Sequence, residues 1–377
     1  MHTRDLRLRF DTLYVEAAHA IAALLGQLPG LEELHVGGCY LTPGAAEVLG
    51  AGLHLAGNLT ALDVCFDIAT ARGALALAEA LPSLSKLSTL RMCLNTMGEP
   101  GVHSLAGALR LLPGLRTLKL RFMNAGADAG RAVADAPRFL RHLTALDLSH
   151  CGSASHMADG FGVAGARALA PTLLQLPHLA ALNLRGNELG ADGVQALGGA
   201  LKSLHSLTAL DVSDNDVQAE GTQVLADALR SLPRLARLEM GENHVGVAGA
   251  LALAEALAVA GADVFPALAT LDLRASALGA EGAQALAGAL LARPSLRTLR
   301  VDEAALGVDW MAATGLMIPS GTLRGGWTPT LRYAQERAAR LAAFAMGLHG
   351  RLGAESAVQC LDGDLARLVL QHECARV

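Results

Sequence analysis

The residues of this chain that could do chemistry are six cysteines and thirteen histidines. The closest grouping of metal-ligand types is His150, Cys151 and His156, which lacks a fourth ligand. No P-loop, GxSxG elbow, HExxH or paired-cysteine zinc pattern occurs in the sequence. We therefore expect no catalytic residues, no metal and no cofactor, and the sequence gives no positive support for an enzyme.

Two cysteines, Cys65 and Cys93, stand 28 residues apart at equivalent positions of a repeated pattern. They are either a redox pair or two ordinary reduced thiols, and the sequence leaves both open. The first ten residues, MHTRDLRLRF, have no apolar stretch after a basic start, which argues against a secretory signal. Reduced thiols and a cytoplasmic location, with the nucleus as an alternative, are the expectation.

Composition excludes several classes of protein. The 377 residues are 52% hydrophobic and 17% charged, which is too apolar for a disordered chain. The net charge of −5 argues against a nucleic-acid-binding protein, and the apolar stretch 245–264 is interrupted by Glu255 and Asp263, which argues against a membrane span.

The elements that position these residues are repeated along the chain. A segment of the form LxxLxLxx recurs with a period of 28 residues, interrupted by one insertion of eight residues and one of five. The ten clear copies begin at Leu31, Leu59, Leu87, Leu115, Leu143, Leu179, Leu207, Leu235, Leu268 and Leu296. A weaker copy at Thr3 makes eleven repeats.

The pattern LxxLxLxxNxL resembles the leucine-rich repeat family, and the 28-residue period with a helix in each unit resembles its ribonuclease-inhibitor-like subfamily. The resemblance covers residues 3 to 309. It implies a soluble horseshoe that binds protein partners on its concave face.

Each repeat also has a physical interpretation. Alternating leucines predict a short strand with one buried face. The ninth position carries Asn95, Asn187, Asn215 and Asn243, or Cys39 and Cys151, and a buried amide there can bond the backbone of neighbouring turns. Met123, Ser276 and Ala304 depart from this pattern and are expected to weaken it locally.

A glycine fourteen residues after the first leucine precedes a helical run such as GVQALGGALKSL, and a proline in LPxL segments ends it. These prolines are Pro29, Pro113, Pro177 and Pro233. A strand and a helix repeated in this way predict an α/β fold, a right-handed solenoid with a parallel sheet on the concave face and helices on the convex face.

The sequence divides into three predicted parts: a repeat domain at 1–309, a connector at 310–328 and a C-terminal helical segment at 329–377. Charged residues on the first strand, Arg4, Asp5, Arg7 and Arg9, are expected to discourage edge pairing. A faint resemblance to the opening helix of an F-box lies in SAVQCLDGDLARLVLQH, where Gly363 and Ala366 depart from the F-box pattern. The alternative is a structural cap.

The register of the repeats predicts an outward-facing surface that binds a partner. Its N-terminal half is expected to be apolar and basic and its C-terminal half acidic. The candidate binding residues are Phe66, Arg91, Leu94, Lys119, Arg121, Phe122, Asp147, Asp211, Asp214, Glu239 and Glu242. The alternative is that the phenylalanines pack onto their neighbours and the acidic residues are simply solvated.

The sequence therefore favours a non-enzymatic, monomeric scaffold that holds a protein partner. Two other functions remain open. The first is a GTPase activator, because the Ran GTPase-activating protein is similar in size and repeat type, although the acidic tail usual in that family is missing. The second is a ubiquitin-ligase substrate adaptor, which depends on the F-box-like segment.

Overall fold

One parallel sheet runs through the whole described part of the chain. The computed structural model describes residues 3–69, 71–94, 98–121, 126–151, 161–259, 268–291 and 298–301. Within these ranges eleven strands lie side by side in sequence order, each paired with the strands before and after it. The predicted α/β solenoid of repeats is confirmed. The parts at 310–328 and 329–377, including the F-box-like stretch, lie outside the described residues, and the predicted domain boundaries stay a prediction.

The strands become shorter along the chain. The first three have nine residues each, and those from β6 onward have three. They are β1 (Asp5–Leu13), β2 (Glu33–Leu41), β3 (Ala61–Ala69), β4 (Thr89–Leu94), β5 (Thr117–Arg121), β6 (Ala145–Asp147), β7 (Ala181–Asn183), β8 (Ala209–Asp211), β9 (Arg237–Glu239), β10 (Thr270–Asp272) and β11 (Thr298–Arg300).

One helix follows each of the first ten strands, and neighbouring helices contact one another in sequence order. They are α1 (Val15–Gln27), α2 (Pro43–Leu53), α3 (Ala71–Ala80), α4 (Gly98–Leu109), α5 (Gly126–Asp135), α6 (Gly162–Leu173), α7 (Gly190–Leu201), α8 (Gln218–Leu229), α9 (Gly246–Val259) and α10 (Gly279–Leu291). None of the helices described here is long and apolar enough to cross a membrane.

The core lies between the sheet and the helices. Leu34 and Val36 of β2 are buried, as are Leu49 and Leu53 of α2, and equivalent residues of the other repeats continue the same apolar cluster. Each fully buried leucine contributes about 1.5–3 kcal/mol. The alternating leucines of the repeat therefore face inward as predicted.

Asparagine side chains join the turns after the short strands, as predicted. The backbone N–H groups of Cys151, Asn187 and Asn215 each donate to the Oδ1 of the next asparagine, at 2.9 Å in all three cases. The Nδ2 group of Asn187 donates to Leu148 O and Leu184 O, both at 2.8 Å. Asn95, Met123, Ala304 and the side chain of Cys39 lie outside the described residues.

The difference in strand length follows the backbone conformation near the ninth position of the repeat. In β1 to β3 the chain continues in an extended conformation through Asp11, Cys39 and Asp67, pairing with its neighbours. In the repeats of Asn215 and Asn243, the preceding residue adopts a left-handed φ, +58° at Asp214 and +60° at Glu242. His150 before Cys151 and Ala275 before Ser276 do the same, so the turn that ends a strand early does not require an asparagine.

The recurring glycines lie where neighbouring helices approach closely. A Cβ atom on Gly221 would lie 2.7 Å from Val217 Cγ1 and 3.2 Å from Ala191 Cα. The helix that the sequence predicted from Gly193 starts three residues earlier, at Gly190, whose φ of +60° ends the preceding turn.

Candidate functional site

The side of the sheet away from the helices carries polar side chains in aligned rows, and we call it the open face. Its central row takes one residue from each strand, and every neighbouring pair is in register as the sequence predicted. The row is Arg7, His35, Asp63, Arg91, Lys119, Asp147, Asn183, Asp211, Glu239, Asp272 and Arg300.

In the N-terminal half of the open face, basic side chains are paired with acidic neighbours. Lys119 Nζ lies 2.9 Å from Asp147 Oδ2, and Arg91 Nη1 lies 3.8 Å from Asp63 Oδ2. The two carboxylates are largely buried, with 21% and 22% of the side chain exposed. Lys119 and Arg91 therefore have acidic partners on adjacent strands.

Two of the predicted acidic residues of the C-terminal half, Glu239 and Glu242, have arginine partners. Arg185 Nη2 lies 2.9 Å from Glu242 Oε1, and Arg237 Nη1 lies 3.4 Å from Glu239 Oε1. Asp211 Oδ1 accepts the backbone N–H of Ser213 at 2.9 Å. Positive and negative side chains are thus interleaved in both halves, which reduces the difference in charge that the sequence led us to expect.

The eighth position of the repeat does not have one orientation throughout. The repeat register by itself predicts an outward side chain at this position, just before the ninth, in every repeat, and this is wrong for Phe10, which is half-buried and packs against the core. Phe10 continues β1 with the same parity as Leu6 and Leu8, so it points to the same side. Asp214 and Glu242 are exposed because their left-handed φ turns the chain.

Of the predicted apolar residues, Phe66 and Leu94 are cross-strand neighbours at this same position. Their side chains, and the whole of Phe122, lie outside the described residues. Their part in a binding surface stays a prediction.

Several of the predicted binding residues line one groove on the open face, with a volume of about 680 Å³. The groove extends from β3 to β9 and contains six of them: Arg91, Lys119, Arg121, Asp147, Asp211 and Glu239. Backbone and short side chains such as Ala145, Ala181 and Ala209 line it as well. The charged side chains are held on strands, which limits their movement.

Cys65 and Cys93 are cross-strand neighbours on the wall of this groove. The thiol of Cys65 donates to Asp63 Oδ1 at 3.0 Å. The pKa of the Cys93 thiol is lowered, first by its hydrogen bond with Cys65 and then by the positive charges of Lys119 and Arg121, while burial acts in the opposite direction. The pKa of Cys65 is raised by the same hydrogen bond and by burial, so Cys93 is the more acidic thiol.

Of the grouping of His150, Cys151 and His156, the first two residues lie among those that the structure describes. Cys151 is buried and its thiol donates to Leu120 O at 3.4 Å, in the turn position that asparagine takes elsewhere. Burial lowers the pKa of His150, and the charges of Arg121 and Arg185 lower it further. His156 lies outside the described ranges.

Sequence reasoning missed one cluster at the N-terminal end of the open face. Asp5, Glu33 and His35 bring three ligand atoms within 4.8 Å of one another. The repeat register alone could have placed Asp5 beside Glu33, but Asp5 enters the prediction only as a charge that discourages edge pairing, and Glu33 does not enter it.

Three segments of the chain match a sequence profile described as Leucine Rich repeat: residues 139–152, 175–198 and 203–226. No curated protein sequence matches the chain. The second and third segments contain Asn187 and Asn215, two of the asparagines that join the turns.

Several solved structures are similar to this one. The leucine-rich repeat-containing protein LegL7 from Legionella pneumophila has a TM-score of 0.43 at 17% identity, covering 79% of this chain and 92% of that one. A structure of the Rad7 and Elc1 complex in yeast has a TM-score of 0.40 at 14% identity, covering 76% of each chain. A protein from Bacteroides fragilis has a TM-score of 0.40 at 16% identity, covering 62% and 67%.

Proposed function

Since the chain belongs to the leucine-rich repeat family, we propose that it is a non-enzymatic scaffold whose open face holds a protein partner. Arrays of this kind build extended binding surfaces from equivalent positions of successive repeats. The observation that carries the proposal is the central row of polar, mostly charged side chains, in register across eleven strands.

The size of the open face supports a macromolecular partner rather than a small ligand. Eleven strands about 4.8 Å apart span roughly 48 Å across the sheet. A standard protein interface buries about 800 Å² on each partner. A face of this length accommodates such an interface along part of the sheet.

The arrangement of charge supports selectivity. Ion pairs such as Lys119–Asp147 and Arg185–Glu242 hold both signs of charge in fixed places. A partner with complementary charges would align with this pattern, and a partner with the wrong pattern would meet like charges and be rejected. The groove between β3 and β9 gives the partner a recess to enter.

The test is a comparison of two double variants of the full chain. The first, Asp211→Lys with Glu239→Lys, reverses two charges in the groove. The second, Glu220→Lys with Glu281→Lys, makes the same charge change on exposed residues of α8 and α10. Proteins captured by the unmodified chain are identified by mass spectrometry, and the affinity of the purified partner is then measured for each variant.

We expect the groove variant to bind at least about tenfold more weakly, a change of about 1.4 kcal/mol, while the helix variant binds as before. Equal affinity of the two variants would show that the partner does not use the open face. A catalytic turnover of the partner by the unmodified chain would contradict the non-enzymatic part of the proposal.

A further inference from the structure

Three ligand-type side chains converge at the N-terminal end of the open face, away from the groove. Asp5 of β1 lies directly opposite Glu33 of β2, and His35 follows Glu33 by two residues on the same side of the strand. His35 Nε2 lies 3.6 Å from Glu33 Oε2 and 3.9 Å from Asp5 Oδ1. The three side chains therefore face a common point.

The protonation of the His35 ring follows from its other contact. His35 Nδ1 lies 3.4 Å from Asp63 Oδ2 on the next strand. Since an ionised carboxylate can only accept a hydrogen bond, Nδ1 carries a proton and donates it to Asp63. In the neutral ring, Nε2 then has a free lone pair.

This Nε2 atom is buried and has no hydrogen-bond partner among the described residues. It is directed at two carboxylates that are themselves adjacent, and like charges directly opposite on neighbouring strands are destabilising. A lone pair facing two anionic oxygens requires a positive charge between them. The cluster thus has the electrostatics of a cation site.

We propose that Asp5 Oδ1, Glu33 Oε2 and His35 Nε2 bind a divalent zinc ion. One imidazole and two carboxylates are ligands that Zn²⁺ accepts, and three protein ligands leave a fourth tetrahedral position for water. With metal–ligand distances of about 2.1 Å, tetrahedral ligand atoms lie roughly 3.4 Å apart. The three atoms, all within 4.8 Å of one another, reach this geometry through small side-chain rotations.

Two further contacts match what surrounds a metal ligand in proteins. A metal-bound histidine usually donates its other N–H to a carboxylate, and ligating carboxylates are hydrogen-bonded in turn. Asp63 provides the first contact to His35. Arg7 Nε provides the second by donating to Asp5 Oδ2 at 2.9 Å, which leaves Oδ1 of Asp5 for the ion.

A proton on His35 Nε2 would also place a positive charge between the ring and the two carboxylates, without a metal. The two explanations differ in what the chain binds, because only the metal site predicts that one zinc ion binds per chain at this cluster. The experiment therefore measures zinc directly, on the full chain after chelator treatment, by equilibrium dialysis and calorimetry with ZnCl₂.

Other cysteines and histidines of the chain offer further zinc-ligand atoms, so the readout is the difference between variants. We expect His35→Gln to bind one zinc ion fewer per chain than the unmodified protein, and Glu33→Gln to bind the same ion at least about tenfold more weakly. Asp63→Asn, which alters the histidine's outer partner and leaves all three zinc ligands in place, should weaken it by about 10–100-fold. Asp211→Asn, a carboxylate elsewhere on the open face, is the matched control.

Circular dichroism establishes that each variant is folded, and if His35→Gln does not fold, Glu33→Gln decides, because its side chain is half-exposed. Binding of Co²⁺ in place of zinc should give the intense visible absorption of a tetrahedral site, lost in the same variants. Equal zinc stoichiometry and affinity in the unmodified chain, His35→Gln and Glu33→Gln would overturn the proposal.

Discussion

The backbone N–H of Asn215 donates to the side-chain Oδ1 of Asn243, which lies 28 residues later and one repeat further along the sheet. Asn187 stands in the same relation to Asn215. The Nδ2 group of Asn215 in turn donates to Leu184 O, Val212 O and Ser213 O. One buried side chain thus satisfies backbone groups of two consecutive turns, which couples the repeats in addition to their shared core.

Replacement of Asn215 should lower the free energy of unfolding. Asn215→Ala leaves backbone donors and acceptors of two turns buried without partners, each at about 1–3 kcal/mol. We expect a loss of roughly 3 kcal/mol or more, seen as a lower midpoint of urea unfolding. Asn58→Ala is the control, because Asn58 also bonds a neighbouring repeat, through Pro29 O, but is exposed. A similar midpoint for the two variants would contradict the role of burial.

The start of α8 contains a residue in an unfavourable conformation. Gln218 has φ of +59°, at the position where α7, α9 and α10 start with Gly190, Gly246 and Gly279, also with positive φ. Gln218→Gly should therefore stabilise the protein by about 0.5–1 kcal/mol, although it loses an exposed hydrogen bond to Asp216. Gly190→Ala should destabilise it by a similar amount. Thermal unfolding measures the stability of both variants. A melting temperature of Gln218→Gly below that of the unmodified protein would contradict the prediction.

Two glycines of the helices differ in what a methyl group would meet. Gly221→Ala places Cβ close to Val217 and to the backbone of Ala191, so we expect a loss of about 1–3 kcal/mol from overpacking. Gly199→Ala meets no atom within 4 Å and should stabilise α7 by about 0.5–1 kcal/mol. Opposite shifts in melting temperature are the expected outcome; shifts of the same sign would show that helix contacts are looser than the structure implies.

The two thiols of the groove should differ in reactivity. Because the pKa of Cys93 is lowered and that of Cys65 is raised, Cys93 carries more thiolate at neutral pH. Thiolate is the reactive form, so iodoacetamide should label Cys93 first, at a pH below that of an ordinary thiol. Peptide mass mapping over a pH series measures this.

Variants identify the cause of that difference. Cys65→Ala removes the main hydrogen bond to Cys93, and Lys119→Met removes a positive charge, so each should raise the pKa of Cys93 and move its labelling to higher pH. Lys202→Met, on the helix side, should leave the profile unchanged. Faster labelling of Cys65 than of Cys93 in the unmodified chain would contradict the assignment.

The positions of the strands could be predicted from the sequence because their signals are local. Apolar residues at two-residue spacing, such as Leu62 and Val64, define an inward face, and the 28-residue period fixes which residues are neighbours. The pairings Arg91–Lys119 and Asp211–Glu239 follow directly. The asparagine contacts could also be predicted, because a buried amide must find backbone partners.

Strand length and side-chain convergence could not be predicted in the same way. The side to which Phe10 points depends on whether the chain turns or continues after Arg9, and the repeat pattern is the same in both cases. The approach of His35 to Glu33 depends on side-chain torsions, which a repeat register does not specify. Arg185 and Glu242 are 57 residues apart, so their ion pair spans two repeats and depends on the length of the arginine side chain.

Each described strand pairs only with its immediate neighbours, and this has a consequence for how the protein folds and unfolds. Strand pairing and helix packing join adjacent repeats, so folding can begin at any adjacent pair of repeats and spread both ways. The asparagine-joined turns around β7 to β9 favour a beginning there. Local melting at one end would then shorten the array while the middle keeps its native form.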